Sequence, residues 1–196
     1  MPTPPDALAR WWSAAPGGRA LDLGAGTGEA AVFLAQQGFL VDAIERDPEA
    51  LEGLRRVRAG RTIVVHPVDL RTFPLISDTY ALVLASAVLH FLRPSELWPL
   101  ADLLAASLVH GGVLVAEVLT ADDPELLALR AASVPEVEPN TFAIDPPDSL
   151  IHFFEAGELR RVFAGLEELE YAEDRRAAET EAGYRSGATL VARRRA

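Results

Sequence analysis

The chain has 196 residues, 49% of them apolar, and a formal net charge of −11. That length suits one well-buried domain and is short for two. The acidic balance argues against a phosphate backbone as principal substrate; the lack of cysteine excludes disulfides, zinc thiolate sites and thiol nucleophiles, and the lack of lysine excludes Schiff-base chemistry and a P-loop lysine. No apolar run is long enough to span a bilayer. Met1–Pro5 has neither the basic start nor the apolar core of a secretion signal. A cytoplasmic setting is expected, with no nucleic-acid or membrane partner.

In chain order, Asp6 to Ala15, with Trp11 and Trp12, reads as a short helix over the sheet or the ligand mouth, making residues 1–18 a helical cover. Ala20 to Leu23 is a first strand running into Gly24, Gly26 and Gly28, and a helix-like stretch, Glu29 to Gln37, follows at once. Alternate glycines turn the backbone sharply and let it approach a ligand closely, and the helix behind presents unpaired N–H groups. The spacing differs from a dinucleotide fingerprint, because the third glycine comes one residue early and Glu29 takes the place of the last one. A ligand without phosphates fits that helix start better.

Leu40 to Glu45 is strand two. Asp47 then Pro48 open a helix as N-cap and first helical residue, with Ala50, Leu51, Leu54 and Val57 as its buried stripe. Thr62 to Val65 is strand three and Tyr80 to Ala85 strand four. Leu100, Leu103, Leu104 and Leu108 recur at helical spacing, ended by Gly111 and Gly112, before strand five at Val113 to Val118. Asp123-Pro124 opens a helix through about Ala132, and the prolines at 135, 139, 146 and 147 predict a loop with no long regular element. Ala156 to Phe163 reads as a short helix; Leu166 to Glu173 and Gly187 to Arg193 read as an antiparallel strand pair. The prediction is an α/β fold: an open, doubly wound, mostly parallel seven-stranded sheet ending in that pair, with residues 1–196 as a single domain and 121–165 as a substrate-side insertion.

In this order and spacing the segments resemble a class I S-adenosylmethionine-dependent methyltransferase. LDLGAGTG (21–28) is similar to the family's first motif, around the methionine end of the cofactor; VDAIERD (41–47) to the strand end that meets the ribose; VDL (68–70) to the segment flanking the adenine. YALVLASAVLHFL (80–92) and LVHGGVLVAEV (108–118) are similar to strand four and the approach to strand five. FFEAGELRRVFAGLEELEYAED (153–174) resembles the C-terminal part of tellurite-resistance methyltransferases. Those carry a His-Arg pair beyond this stretch, where Glu179 and Thr180 stand here; a carboxylate there opposes an anionic substrate, so fold and cofactor carry over and the substrate does not.

The resemblance implies S-adenosylmethionine as methyl donor, S-adenosylhomocysteine as product, and cofactor contacts at Asp22, Gly24, Ala25, Gly26, Gly28, Glu45, Arg46, Asp69, Leu70 and Ser86. For Asp22, orienting loop amides and touching the cofactor's ammonium both stand. Asp47 has a full explanation as an N-cap and Glu45 has none, so Glu45 is taken for the ribose. Asp69 has a rival reading as a turn-forming carboxylate. His90 is the candidate catalytic proton acceptor, imidazole titrating near neutrality; its plain alternative is a buried histidine bonded to a neighbouring carbonyl. No histidine is spaced as a convincing metal ligand. Trp11, Trp12 and Trp98 read either as walls of an aromatic substrate pocket or, the commoner use, as helix-packing residues, and Arg193–Arg195 as a solvated tail. The expected reaction is methyl transfer to a small-molecule acceptor by in-line displacement. A non-catalytic cofactor-binding partner is the alternative; an NAD oxidoreductase is disfavoured by the displaced glycine and the antiparallel pair. No apolar stripe names an oligomer interface.

Overall fold

The computed structural model describes residues 4–144 and 149–195. Seven strands form one sheet in the order β3-β2-β1-β4-β5-β10-β9. These are β1 (Arg19–Leu23), β2 (Leu40–Glu45), β3 (Ile63–Pro67), β4 (Tyr80–Ser86), β5 (Leu108–Leu119), β9 (Glu167–Ala177) and β10 (Tyr184–Arg193). The first five are mutually parallel, and β10 runs antiparallel to both β5 and β9. The mostly parallel sheet with its terminal antiparallel pair is therefore as expected, although β9 continues to Ala177 and β10 starts at Tyr184.

Period-two alternation distributes β4 between two cores. Leu82 and Leu84 face the side covered by α2 (Glu29–Gln36) and α3 (Pro48–Val57), while Val83 and Ala85 face α4 (Pro94–Ser107) and α6 (Glu158–Val162). Asp47 caps α3 as predicted, its Oδ1 accepting the Ala50 N–H at 2.8 Å. The N-terminal helix is shorter than expected: α1 spans Asp6–Trp11 and a 3₁₀ turn takes Trp12–Ala14. It is pinned to β9 through Glu170, which accepts from Arg10 and from Trp11 Nε1. Trp12 packs edge-on against Phe33, and Trp98 is exposed.

Two boundaries differ from prediction. Helix α4 ends at Ser107, and Gly111 and Gly112 lie inside β5 rather than stopping the helix. The β4–β5 register jumps there from Tyr80↔Leu108 to Leu82↔Val113. Gly111 has φ +77°, and a Cβ on Gly112 would stand 2.8 Å from the Val109 carbonyl, so the pair serves that kink. Leu103 of the expected stripe is exposed. Nor is Arg194 part of a solvated tail, since its guanidinium bonds Asp78 and the Ala106 carbonyl.

The larger correction concerns the proline-rich segment. After α5 (Pro124–Ala131), strands β6 (Glu136–Glu138), β7 (Thr141–Ile144) and β8 (Ser149–His152) make a second, antiparallel sheet. Pro135 and Pro139 sit at strand ends, and Asn140 takes the left-handed turn conformation (φ +55°) that asparagine tolerates. Pro146 and Pro147 lie outside the described residues. A buried chain ties this sheet to α6: Thr141 Oγ1 meets His152 Nδ1 at 2.9 Å, and His152 Nε2 meets Glu158 Oε1 at 3.2 Å. The expected helix at 156–163 shrinks to α6, starting after Gly157. Among the described residues no helix is long and apolar enough to cross a membrane, and no cluster of three metal-ligating side chains occurs.

Candidate functional site

Strand β1 lies between β2 and β4, so the chain order reverses beside it, and a crevice opens at the carboxyl ends of these strands. Two cavities meet there at Gly24. One, of about 490 Å³, is walled by Glu45, Arg46, Asp69, Leu70 and Val88 among others. The second, of about 470 Å³, is walled by Asp22, Ala25, Gly26, Ser86 and Glu117, with Pro5 and Asp6 of the N-terminal segment. A third, of about 150 Å³, shares Ala87 with the first and Glu117 and Arg176 with the second, and holds His90 and Arg185.

The three glycines do different work. Gly26 has φ +54° and nothing within 4 Å of a Cβ built on it, so its bare backbone faces the open second cavity. A Cβ on Gly24 would stand 2.6 Å from Val88 Cγ2, and one on Gly28 2.6 Å from Leu54 Cδ1. Close packing fixes those two, and Gly28, placed by the resemblance among the cofactor contacts, lines none of the three cavities.

Asp22 lies within the buried run of β1 with its Oδ2 enclosed and without a hydrogen-bond partner. Burial, then the charge of Glu45, push its pKa up to about 7 against a backbone hydrogen bond from Ala31. A carboxylate so placed is short of a cation. Glu45, which had no structural role in the sequence reading, has one: Oε2 accepts the Gly26 N–H, and Oε1 accepts those of Arg46 and Asp47, each at 2.8 Å. Three of its roughly four acceptor positions are thus taken, leaving one toward the first cavity.

Asp69 takes the turn role and also lines the first cavity. Its Oδ1 accepts the Arg71 N–H at 2.9 Å in a local turn, and its carboxylate pairs with the guanidiniums of Arg46 and Arg71 on the cavity wall. Burial raises its pKa, but those donors outweigh it and hold the group below the usual carboxylate range. Ser86 donates to Glu117 Oε2 at 2.6 Å.

His90 sits in a 3₁₀ turn (Leu89–Phe91), buried, with Nδ1 unpartnered; no neighbouring carbonyl engages that atom. Burial, then the charges of Arg185 and His152, push its pKa down to about 4, so the ring is neutral at physiological pH. Glu179 and Thr180 line none of the cavities. The residues the sequence reading missed are Glu117, Arg176 and Arg185. Glu117 had a signal, being the lone charge in the apolar run VLVAEV; the arginines, on a polar hairpin, had none.

Ile144, Ser149 and Leu150 of the 121–165 segment wall the first cavity, beside Glu45 and Asp69, and Arg93 at the start of α4 pairs with Glu138 of β6 at 3.2 Å. The insertion thus covers the side where the resemblance places the nucleoside.

Fold and site together define an open, doubly wound α/β protein with a ligand-sized crevice at the switch point of its sheet. Comparison with known proteins makes this specific. Residues 20–112 match the family model described as a methyltransferase domain. A 75-residue stretch is 32% identical to the uncharacterized methyltransferase YodH of Bacillus subtilis, covering 37% of this chain and 32%, about a third, of that relative. The fold is shared with TehB from Haemophilus influenzae (TM-score 0.71, 20% identity, 97% of this chain and 62% of that one). It is shared too with 1,6-didemethyltoxoflavin-N1-methyltransferase from Burkholderia thailandensis, solved with 1,6-didemethyltoxoflavin and S-adenosylhomocysteine bound (TM-score 0.70, 19% identity, 97% and 76%). Over about nine-tenths of the chain or more, the fold is the one found in solved S-adenosylmethionine-dependent methyltransferases, and the methyltransferase-domain match lies within it at residues 20–112. S-Adenosylmethionine is the cofactor of this family.

Proposed function

We propose that this protein moves a methyl group from S-adenosylmethionine to a small-molecule acceptor, acting as one domain with residues 1–18 and 121–165 as covers. The observation that carries the reading is the enclosed, unpartnered carboxylate oxygen of Asp22 in a cavity that joins the one bounded by Glu45. A ligand with a cationic amino-acid end and an uncharged sugar end suits that pair. When bound, the cofactor supplies an electrophilic methyl on a sulfonium, so the protein contributes alignment and a dry, shaped crevice.

In this reading Asp22 takes the ammonium, and bare backbone at Gly26, with Gly24 and Ala25, lies along the methionine. Glu45 offers its remaining acceptor position to the ribose hydroxyls. Leu70 and Val88 give the base apolar walls, and the Arg46–Asp69 pair gives it a polar edge. Ser86 lines the methionine end. His90, neutral with Nδ1 bare, serves the third cavity as a hydrogen-bond partner and is a weak base. The 150 Å³ of that cavity supports a small acceptor, as does the small molecule named with the Burkholderia neighbour.

Calorimetric titration with S-adenosylhomocysteine and with NAD, followed by transfer of labelled methyl to a panel of acceptors, tests the proposal. Saturable binding of the first ligand, none of the second, and turnover of a small acceptor are expected. Absence of any stabilisation by S-adenosylhomocysteine at millimolar concentration overturns it.

A further inference from the structure

Glu117, with Arg176 beside it, walls both the methionine-end cavity and the small third cavity, which puts its carboxylate at the seam where donor and acceptor meet. Ser86 Oγ at 2.6 Å fixes Oε2, and the contact to Arg176 Nη1 is long, 3.5 Å from Oε1. A carboxylate has about four acceptor positions, so Glu117 retains capacity toward the cavity. Nothing in the expected handling of the cofactor uses it.

The charge around the third cavity decides what it would hold. Its two guanidiniums are already engaged. Arg176 contacts Glu117 and, at 3.1 Å, Asp174; Arg185 contacts Asp123 at 3.1 Å and Glu125 at 2.6 Å. That places four carboxylates against two cations, with Asp6, Asp22 and Glu29 adding further negative charge from the adjoining cavity. His90 contributes an uncharged ring with a bare Nδ1. An oxyanion would meet net repulsion, whereas a group that carries positive charge or donates N–H bonds would be drawn in.

We infer that the acceptor is a small amine and that Glu117 binds its N–H and takes its proton. The inference rests on the methyl-transfer reading above. One N–H proton passes from the acceptor's ammonium to the Glu117 carboxylate. The lone pair so freed forms the new N–C bond as the S–C bond breaks, its electron pair remaining on sulfur as a neutral thioether. The methylated ammonium then carries the positive charge that the sulfonium gave up. Glu117 is thus the acceptor-binding residue, oriented by Ser86, while Arg176 and Arg185 hold the acidic cluster together.

The test takes the full chain and its Glu117→Gln variant, which keeps the hydrogen bond from Ser86. Labelled S-adenosylmethionine is offered with small primary and secondary amines, alcohols, thiols and inorganic oxyanions of a size that fits 150 Å³. Methylation of amines is expected, with kcat falling by about 10²-fold or more in the variant while S-adenosylhomocysteine affinity stays within about fivefold. Independently of turnover, an amine should raise the melting temperature of the S-adenosylhomocysteine complex of the native protein and not of the variant. The inference is overturned by methylation confined to alcohols, thiols or oxyanions, by equal amine turnover in the variant, or by an S-adenosylhomocysteine complex that no amine affects. In those results the cofactor reading stands; failure of S-adenosylhomocysteine to bind the native protein removes both.

Discussion

Asp22 carries a cost in the free protein that its ligand should relieve, and Asp22→Asn measures it. The pKa of this buried carboxyl is pushed from 3.8 up to about 7. An acid with a raised folded-state pKa binds more protons folded than unfolded between those values, so stability falls as pH rises from about 4 to about 7. Three units at about 1.4 kcal/mol each set a ceiling near 4 kcal/mol. Asparagine keeps an acceptor for Ala31 but leaves its own amide enclosed, costing about 1–3 kcal/mol. A net gain of about 1–2 kcal/mol is expected, or about 2–8 °C in melting temperature at pH 8 for a chain of this size, shrinking to nothing or reversing near pH 4. Loss of the charged partner should simultaneously weaken S-adenosylhomocysteine binding by about 10–100-fold, the worth of one hydrogen bond to a charged group. Melting curves from pH 4 to 8, paired with calorimetric titrations at pH 8, provide both readouts. A variant that is less stable at pH 8 and binds the ligand as tightly as the native protein would refute the reasoning.

Other perturbations separate packing from binding. Glu45→Ala should weaken S-adenosylhomocysteine by at least about 30-fold and also lower the melting temperature, because three loop N–H groups lose their acceptor. Asp47→Asn, an N-cap exchanged for another good one, should change affinity and stability little; equal losses of affinity in calorimetry would reassign the ribose contact. Gly26→Ala should weaken the ligand at least about tenfold for about 1–2 kcal/mol of backbone strain, whereas Gly28→Ala, driven into Leu54, should chiefly destabilise the fold. The reverse pattern in melting and binding data would exchange their roles. Because the His90 pKa lies near 4, below the 6.5 of a free imidazole, its stabilising effect is complete above pH 6.5 and is lost as pH falls toward 4. His90→Gln should therefore flatten the acid limb of stability between those values, and the native turnover profile should show no histidine inflection near pH 6.5. An inflection there that vanishes in the variant would restore His90 as the base.

Short-range pattern was enough for much of this protein. Alternating apolar strands, glycines at alternate positions after β1, and Asp47-Pro48 ahead of a helical stripe are consequences of neighbouring residues, and they fixed the parallel sheet, the loop and the cap. The cofactor's crevice followed, because the end of β1 has nowhere else to lie in such a sheet. What required tertiary structure was every property set by residues far apart in the chain. Gly24 and Gly28 turn out to be fixed by Val88 and Leu54. Glu45 is held by a loop some twenty positions earlier, and the bare oxygen of Asp22 is visible only once the sheet has closed around it. The third cavity joins the 3₁₀ turn of His90, the end of β5 and both strands of the last hairpin, and its charge balance is a sum over groups that only folding brings together. Proline counting failed at 135–144 because proline forbids strand interiors and not strand ends, and where the ends of β6 fall was decided by its pairing with β7.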